Sequence, residues 1–387
     1  MAARTWKKFP QARHYRDFRE MLATEGDKID AVYCGTPDHT HAIVSMAALK
    51  AKKHCLTVKP LTRTIGEGRL LAAEAVKAGV MTQMTAAPAS TESGCQTCEM
   101  IWDGIIGDVT EVHIWSNRPL WPHGMRRPKG SDPIPKTFDW DMWLGPAPKR
   151  PFVKQWPAGS LEMAQIKTGG NRRGVYHPWN FRGWTDFGTG ALGDMGCHHW
   201  NTPRRALKLG YPTSVSASST KMMGESWPLA SIITYEFPAR EKMPAVKVVW
   251  YDGGLKPPRP AELESVRRMP HDGIMYKGTK GVMIAGGASG VPRLLPETKM
   301  RAYKLPPKTL KRRSGIYGEW YKAVRGGEKP SEHWPDCAVP LTEMVLLGCI
   351  AVQIGQHLEW DGPNMKFTNS PKANKLLKPD YHNGWKL

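Results

Sequence analysis

The sequence predicts an α/β protein in which a parallel-sheet domain is followed by an α+β domain with an open, largely antiparallel sheet. Three observations support this prediction: apolar strand patterns alternate with helical patterns over the first hundred residues, a Trp-, Pro- and Gly-rich passage follows, and strand patterns return in the second half. At 387 residues, 40% of them apolar, the chain is long enough for two cores. We place the domains at residues 1–88 and 89–387.

The first domain is predicted from a βαβαβ series. Strand patterns at residues 28–37, 54–60 and 80–86 alternate with helical patterns at residues 41–53 and 66–79. Continuous apolar strands separated by helices are typical of a parallel sheet that helices cover on both faces.

The second domain begins with a long passage without regular patterning. Residues 118–184 are too many for an ordinary loop and indicate a functional insertion. A helix follows near Asp194. Strand patterns then occur at residues 213–220, 230–237, 245–253 and 281–287. Helical patterns at 317–327 and 339–360 close the chain, and we expect these C-terminal helices to pack back on the first domain.

Charge and cysteine content exclude several classes of protein. The net charge is +20, but Lys and Arg are spread along the chain without a nucleic-acid-binding motif, so we predict no nucleic-acid partner and a basic surface suited to anionic ligands. Seven irregularly spaced cysteines do not form a disulfide framework. No segment has the length and apolarity of a membrane span, so we expect a cytoplasmic protein, while an export signal upstream of Met1 stays open.

The stretch FGTGALGDMGCHH at residues 187–199 has a G-x-G-x-x-G spacing but not the context of a dinucleotide loop. No apolar strand precedes it, and no acidic residue lies between 206 and 221. The helix that follows presents Asp194 and His198 on one face, four residues apart. Because imidazole titrates near neutrality, His198 is a candidate for proton transfer. The pair could also bind a metal, but no third ligand is evident, and we predict no metal site.

Three segments, GTPDHTHA, KPLT and GDMGCHHW, resemble the Gfo/Idh/MocA family of oxidoreductases, which pair a Rossmann domain with an α/β substrate domain. The resemblance extends from about Phe9 to the closing YHNGWKL and includes WDMWLGPAP and YHPWNFRGW. It implies a Rossmann-like first domain, a nicotinamide cofactor, NAD or NADP, and a sugar or polyol substrate. It also implies a homo-oligomer formed through the open sheet of the second domain.

The resemblance assigns roles to individual residues. Thr36, Pro37 and His41 correspond to a family motif that lies over the cofactor. Lys59 corresponds to the lysine that touches both cofactor and reacting hydroxyl, although Val58 replaces the glutamate that precedes it in the family. His198 is then the general base, and Asp194 orients the substrate.

The segment YHPWNFRGW supplies candidate substrate contacts. Aromatic rings suit the apolar faces of sugars, and Arg and His suit hydroxyls or carboxylates. The candidates are Tyr176, His177, Arg182 and Trp184.

The predicted function is hydride transfer between a sugar or polyol hydroxyl and NAD or NADP. Two alternatives remain: an NAD-dependent, redox-neutral enzyme that cleaves glycosides, and a truncated sugar-binding relative that lacks the cofactor. The second arises because the family's first strand and glycine loop have no counterpart here. Residues 12–15, ARHY, correspond to the short third strand of the family, so we expect the earlier strands upstream of Met1.

Overall fold

The computed structural model describes residues 3–160, 162 and 174–387, so part of the predicted insertion at 118–184 lies outside the described residues. The described chain forms two sheets, one with three strands and one with nine. Helices from the end of the chain lie against both.

The first sheet is parallel, with strand order β1-β2-β3, and confirms the predicted βαβαβ series. Its elements are α1 (Ala3–Lys8), α2 (Phe18–Glu25), β1 (Ala31–Cys34), α3 (Asp38–Lys50), β2 (His54–Val58), α4 (Ile65–Ala78) and β3 (Thr82–Thr85). Helix α4 begins at a capping box in which Thr64 and Glu67 satisfy each other's backbone amides, and it ends at Gly79, whose φ is +65°.

Residues 12–15 do not form the strand that the family resemblance implies. The Tyr15 hydroxyl instead donates a hydrogen bond of 2.8 Å to Glu25 at the end of α2. Because no described strand pairs with the outer edge of β1, residues 12–15 have no ladder to join.

The second sheet is open and largely antiparallel, as predicted, with order β10-β9-β8-β4-β7-β6-β5-β11-β12. Only the pair β4 and β7 is parallel among its described strands. The strands are β4 (Val109–Trp115), β5 (Ser214–Ser219), β6 (Ser231–Phe237), β7 (Val246–Tyr251), β8 (Gly273–Gly278), β9 (Gly281–Ala285), β10 (Pro292–Leu295), β11 (Leu358–Asp361) and β12 (Lys366–Phe367). The helices are α5 (Glu92–Trp102), α6 (Trp140–Leu144), α7 (Gly190–His199), α8 (Asn201–Ala206), α9 (Glu297–Ala302), α10 (Ile316–Val324), α11 (Val339–Ile354) and α12 (Pro371–Asn374).

The helix predicted at residues 339–360 is too long at its C-terminal end. Helix α11 ends at Ile354, where Gly355 adopts a φ of +66°. The next residues turn back and form β11, in which Leu358 pairs with Val215 of β5. Pairing with an existing sheet edge therefore overrides the helical pattern of the sequence.

The two faces of the large sheet are buried in different ways. One face packs against α7 and α11 in the main core, with Val215, Tyr235 and Trp250 completely buried. Part of the other face is covered by the irregular segment 253–272, whose Leu263 and Met269 pack against Trp115. The chain therefore covers part of the sheet that the sequence suggested as an oligomer surface.

The C-terminal part of the chain is packed against the first domain. Glu343 of α11 pairs with Arg69 of α4 at 2.7 Å. The backbone at residues 332–334 lies along the outer edge of β3, where Met84 N–H donates to the Glu332 carbonyl at 3.1 Å. Tyr381 then donates a 2.6 Å hydrogen bond to Glu67, at the start of α4.

The segment Trp334–Ile354 contradicts the expectation that no stretch could span a membrane. It is helical over 21 residues and is apolar enough for a span. However, 83% of its most apolar window is buried inside the protein, as in a core helix.

Candidate active site

The carboxyl ends of the three parallel strands meet helix α7 of the second domain. Thr36 follows β1 and is exposed, Lys59 follows β2 and is partly buried, and Ala87 follows β3. In open α/β sheets, ligands bind at this edge of the strands. The cleft between the strand ends and α7 is therefore the candidate active site.

The three glycines before Asp194 let α7 begin against neighbouring chain. A side chain at Gly188 would lie 2.6 Å from the Arg182 Cα, and one at Gly193 would collide with Thr189. Gly190 has a φ of +68°, and its Cα faces the Trp227 ring. The glycines are steric, as the sequence suggested, but their space is filled by protein rather than by substrate.

Lys59, Asp194 and Arg182 form one charged group. The Lys59 Nζ lies 2.7 Å from Asp194 Oδ1, and Arg182 Nε donates to the same oxygen at 2.7 Å. Lys59 also donates to the Asp194 carbonyl oxygen. Although burial raises the pKa of the Asp194 carboxyl, the charges of Lys59 and Arg182 outweigh it and hold that pKa well below its usual value. Asp194 is therefore ionised and orients Lys59, although Val58 replaces the family's glutamate.

His198 is fixed through one ring nitrogen. The backbone N–H of Ala87 donates a 2.8 Å hydrogen bond to its Nδ1. Since an amide N–H can only donate, Nδ1 is unprotonated and the neutral ring carries its proton on Nε2. Burial, reinforced by the nearby positive charge of Lys59, lowers the pKa of His198 to about 3. In this state His198 is a hydrogen-bond donor at Nε2, whereas a general base at that nitrogen would need it unprotonated.

His41 does not have the accessibility that a cofactor contact needs. The side chain is completely buried, with Nε2 2.7 Å from the Thr36 carbonyl oxygen and Nδ1 2.8 Å from the Pro60 carbonyl oxygen. The structure therefore does not support the predicted cofactor contact by His41, because both ring nitrogens already lie against carbonyl oxygens of the protein. The residue instead ties the end of β1 to the turn that carries Lys59, whereas Thr36 and Pro37 remain accessible at the strand end.

Two of the predicted substrate contacts lie in a packed aromatic cluster. Trp184 is completely buried and donates from Nε1 to the Val175 carbonyl at 3.0 Å. Tyr176 is 5% exposed and packs among aromatic rings. The structure therefore does not support substrate contacts by these two residues, because their rings form the core of the segment. The other aromatic members include Trp140, Trp143, Phe152 and Phe187.

Arg182 is the predicted substrate residue that the structure brings to the charged group. Its guanidinium lies 5.7 Å from the Trp121 ring centroid and 5.4 Å from that of Trp179. His177 is half-buried, and its Nδ1 accepts a hydrogen bond from the Trp179 N–H at 3.1 Å, which shapes the turn before Arg182.

Several residues at the site were missed by sequence reasoning. Arg118 begins the loop that leads to Trp121, and its buried Nε finds no acceptor among the described residues. Asn201 and Glu332 form a buried hydrogen bond of 2.9 Å near Ala87. The polar pattern GCHHWN after Asp194 could have indicated Asn201, but nothing in the sequence links it to a glutamate 131 positions away.

The described residues offer no group of three or more His, Cys, Asp or Glu side chains arranged to hold a metal ion. The Asp194 carboxylate is paired with Lys59 and Arg182. All seven cysteines are free and buried.

A parallel α/β sheet whose strand ends face a second domain is typical of folds that bind nucleotides at this edge of the sheet. Residues 2–86 match the model of the Gfo/Idh/MocA family, described as an oxidoreductase family with an NAD-binding Rossmann fold. Residues 2–86 are therefore similar to this family, as the sequence motifs predicted. A further 34% identity over 105 residues relates the chain to the uncharacterized oxidoreductase YfiI of Bacillus subtilis, over 26% of this chain and 27% of that protein.

Solved structures share the fold over nearly the whole chain. The WlbA dehydrogenase from Bordetella pertussis, in complex with NADH and UDP-GlcNAcA, is 13% identical with a TM-score of 0.58, over 92% of this chain and 87% of that one. An inositol dehydrogenase homolog from Azotobacter vinelandii, complexed with NADH and myo-inositol, is 17% identical with a TM-score of 0.53, over 89% and 82%. Levoglucosan dehydrogenase, complexed with NADH and levoglucosan, is 15% identical with a TM-score of 0.55, over 92% and 87%. These likenesses confirm the predicted two-domain fold.

Proposed function

We propose that the protein is an NAD(P)-dependent oxidoreductase that transfers a hydride between a sugar or polyol hydroxyl and a nicotinamide cofactor. The observation that carries this proposal is the position of the Lys59 ammonium. It lies at the end of a parallel strand, is partly buried, and is held at 2.7 Å by a carboxylate of the facing domain beside His198. The family match and the sugar or polyol ligands of the structural relatives support the same reaction class.

The described residues fit the reacting end of the cofactor better than its diphosphate. Pyrophosphate binds at helix N-termini with free amides. Thr64 and Glu67 cap α4, and Thr91 caps α5. Helix α3 has no side-chain cap, but its His39 N–H donates to the Phe187 carbonyl oxygen at 3.4 Å, and the Asp38 carboxylate in its first turn adds a negative charge there. Thr36, Pro37 and Lys59 at the strand ends remain suitable to hold the nicotinamide end.

Lys59 is suited to the proton transfer that accompanies hydride transfer. A nicotinamide bound at the strand ends supplies the hydride acceptor or donor. The Lys59 ammonium donates a hydrogen bond to the substrate oxygen and stabilises the negative charge that develops there. As the carbonyl is reduced, Lys59 gives its proton to that oxygen, and in the reverse direction neutral Lys59 takes it back. Asp194 keeps the ammonium in place.

His198 has a different role from the general base that its motif suggested. With the proton on Nε2, the neutral imidazole donates a second hydrogen bond to the substrate oxygen. No described residue accepts a hydrogen bond from that nitrogen, and His198 is only half-buried. The two donors together orient the oxygen and favour its charged form in the transition state.

The charges around the site favour a substrate with an acidic group. Asp194 is shared by two cations, Lys59 and Arg182. Arg118 adds a third cationic side chain in the loop beside Trp121, with an unmet hydrogen-bond donor. A carboxylate on the sugar would pair with the partly buried Arg118 guanidinium, because guanidinium pairs well with carboxylates. We therefore propose sugar acids as preferred substrates over neutral sugars.

The test is oxidation of a panel of sugars, sugar acids and polyols with NAD and with NADP. Lys59→Ala should lower turnover of the best substrate by about two to four orders of magnitude while the fold is retained. Lys77→Ala is the matched control, since the Lys77 side chain is 77% exposed and, within the described part of the chain, pairs only with Glu74. Turnover of Lys59→Ala at the parent rate would overturn the proposed role.

A further inference from the structure

Ala87 is held from both sides by residues of the same helical region. Its N–H donates to His198 Nδ1 at 2.8 Å, and its carbonyl oxygen accepts from Asn201 Nδ2 at 3.0 Å. His198 is the penultimate residue of α7, and Asn201 is the first residue of α8. The two side chains therefore hydrogen-bond to one residue of the irregular segment that follows β3. A movement of Ala87 also moves the N–H group that donates to His198.

Asn201 is itself fixed by a buried carboxylate. Glu332, 1% exposed, accepts from the second hydrogen of Asn201 Nδ2 at 2.9 Å and from the Cys337 thiol at 3.2 Å. Glu332 N–H donates to the Gln83 side chain at 3.0 Å, which anchors the glutamate to β3.

The Glu332 carboxylate is buried among uncharged hydrogen-bond partners, Asn201 and Cys337. A buried carboxyl costs free energy unless its hydrogen bonds are satisfied, and burial raises the pKa of Glu332. An apolar residue would fill the same space without that cost. The use of a glutamate is explained if its acceptor oxygen has to hold Asn201 in one orientation, with both amide hydrogens committed.

We propose that Asn201, oriented by Glu332, is a positioning residue that fixes Ala87 and thereby sets the Nε2–H tautomer of His198. The chain of contacts runs from Glu332 through Asn201 to the Ala87 peptide and ends at His198 Nδ1. Without Asn201, the Ala87 N–H is free to turn away, and the imidazole proton distributes over both nitrogens. The consequence for catalysis rests on the proposed function, whereas the tautomer itself does not.

The direct test measures which imidazole nitrogen carries the proton. Long-range ¹H–¹⁵N spectra of protein labelled with ¹⁵N-histidine report this, and the His198 signals are assigned by their loss in His198→Gln. The parent should show Nδ1 unprotonated and Nε2 protonated. In Asn201→Ala and Glu332→Leu the His198 proton should populate both nitrogens, and its titration midpoint should rise by about one pH unit because the bond favouring the neutral ring is lost.

Thr202→Val is the matched control. Thr202 is 2% exposed, neighbours Asn201 on α8, and makes a 2.7 Å hydrogen bond to Ser289, so its loss removes a buried hydrogen bond without touching Ala87. Thermal unfolding of all variants shows which of them fold. A parent-like His198 spectrum in both Asn201→Ala and Glu332→Leu would overturn the proposal, as would the same spectral change in Thr202→Val.

Kinetics separate positioning from binding. If the proposed function holds, Asn201→Ala should lower kcat by about 10-fold to 100-fold, with KM changed less than about twofold, because a misdirected group costs rate rather than ground-state affinity. Unchanged kcat with an altered tautomer would show that His198 does not act in the reaction and would count against the proposed function alone. An unaltered tautomer would count against the positioning role alone.

Discussion

The Lys59 ammonium and the Asp194 carboxylate lie 2.7 Å apart although 135 positions separate them in the chain. Lys59 belongs to the end of a parallel strand and Asp194 to a helix of the other domain, so the ion pair joins the two halves of the cleft. Arg182 pairs with the same carboxylate oxygen. Removal of the Asp194 carboxylate therefore leaves both Lys59 and Arg182 without their counter-charge.

We predict that Asp194→Ala lowers the free energy of unfolding by about 3–5 kcal/mol, because it leaves Lys59 and Arg182 partly buried without their counter-charge. Urea unfolding at neutral pH measures the change. The control is Glu241→Ala, which breaks an exposed pair with Lys208 and should cost less than about 1 kcal/mol. Equal losses in the two variants would contradict the prediction.

The pH dependence of stability should include contributions from buried neutral histidines. Burial lowers the pKa of His39 and of His123 to about 4 and that of His198 to about 3. A histidine whose folded pKa is depressed stabilises the fold fully above its unfolded pKa of about 6.5, and this stability is lost as the pH falls towards the folded value. The unfolded chain binds protons in this window, and the folded chain does not.

The measurement compares the parent with His123→Gln between pH 6.5 and 4.5. Below the unfolded pKa, the parent should lose about 1.4 kcal/mol per pH unit relative to the variant. The comparison is needed because Asp252 acts in the opposite direction. Burial raises the pKa of its carboxyl to about 6, so its contribution to the stability of the fold is lost as the pH rises from about 4 to about 6. Parallel stability curves for parent and variant would refute the contribution of His123.

The capped N-termini of α4 and α5 should weaken the binding of the cofactor diphosphate. We predict that the 387-residue chain binds NAD with a Kd of about 1 mM or weaker, corresponding to roughly 4 kcal/mol, and binds nicotinamide mononucleotide about equally well. Calorimetric titration measures both. ADP-ribose, which lacks the nicotinamide, should not compete. Micromolar binding of NAD by this chain would mean that another part of it holds the diphosphate.

Arg118 should distinguish sugar acids from neutral sugars. Arg118→Gln is expected to weaken glucuronate binding by about 10-fold to 100-fold, equivalent to roughly 1.4–2.8 kcal/mol, and to leave glucose binding nearly unchanged. Tryptophan fluorescence measures both affinities without turnover. Arg126→Gln, an exposed residue of the same loop, removes the same charge and should have little effect. If the parent binds glucose and glucuronate alike, the preference for an acidic group is absent.

The parallel strands were predictable because each is a short, nearly continuous apolar run between helices. Strands β8 and β10 were missed, since Gly273–Gly278 and Pro292–Leu295 are short, contain or adjoin Gly and Pro, and gain their order from neighbouring strands. Residues 358–360 were predicted as helix because their pattern continues that of α11, and pairing with the edge of β5 makes them part of a strand.

The candidate site was predictable where its chemistry follows a motif. Lys59, Asp194 and His198 were predicted in this way and stay predictions, and the structure brings all three together. His41 and Trp184 were placed in the cleft because sequence does not show which side of a turn is buried, and both are enclosed. Asn201 and Glu332 come into contact through tertiary packing. Neither their spacing nor the composition of the sequence could therefore have predicted their hydrogen bond.

The outer edge of β3 and helix α4 are both completed by residues beyond position 330, which has a consequence for synthesis on the ribosome. The strands that carry Thr36 and Lys59 emerge early, but the backbone at residues 332–334 and the α11 partner of Arg69 emerge much later. Until then one strand edge and one helix face of the nascent first domain stay uncovered, the state in which incomplete domains associate wrongly. The first domain, although translated early, therefore completes its packing only after residues 332–343 have been synthesised.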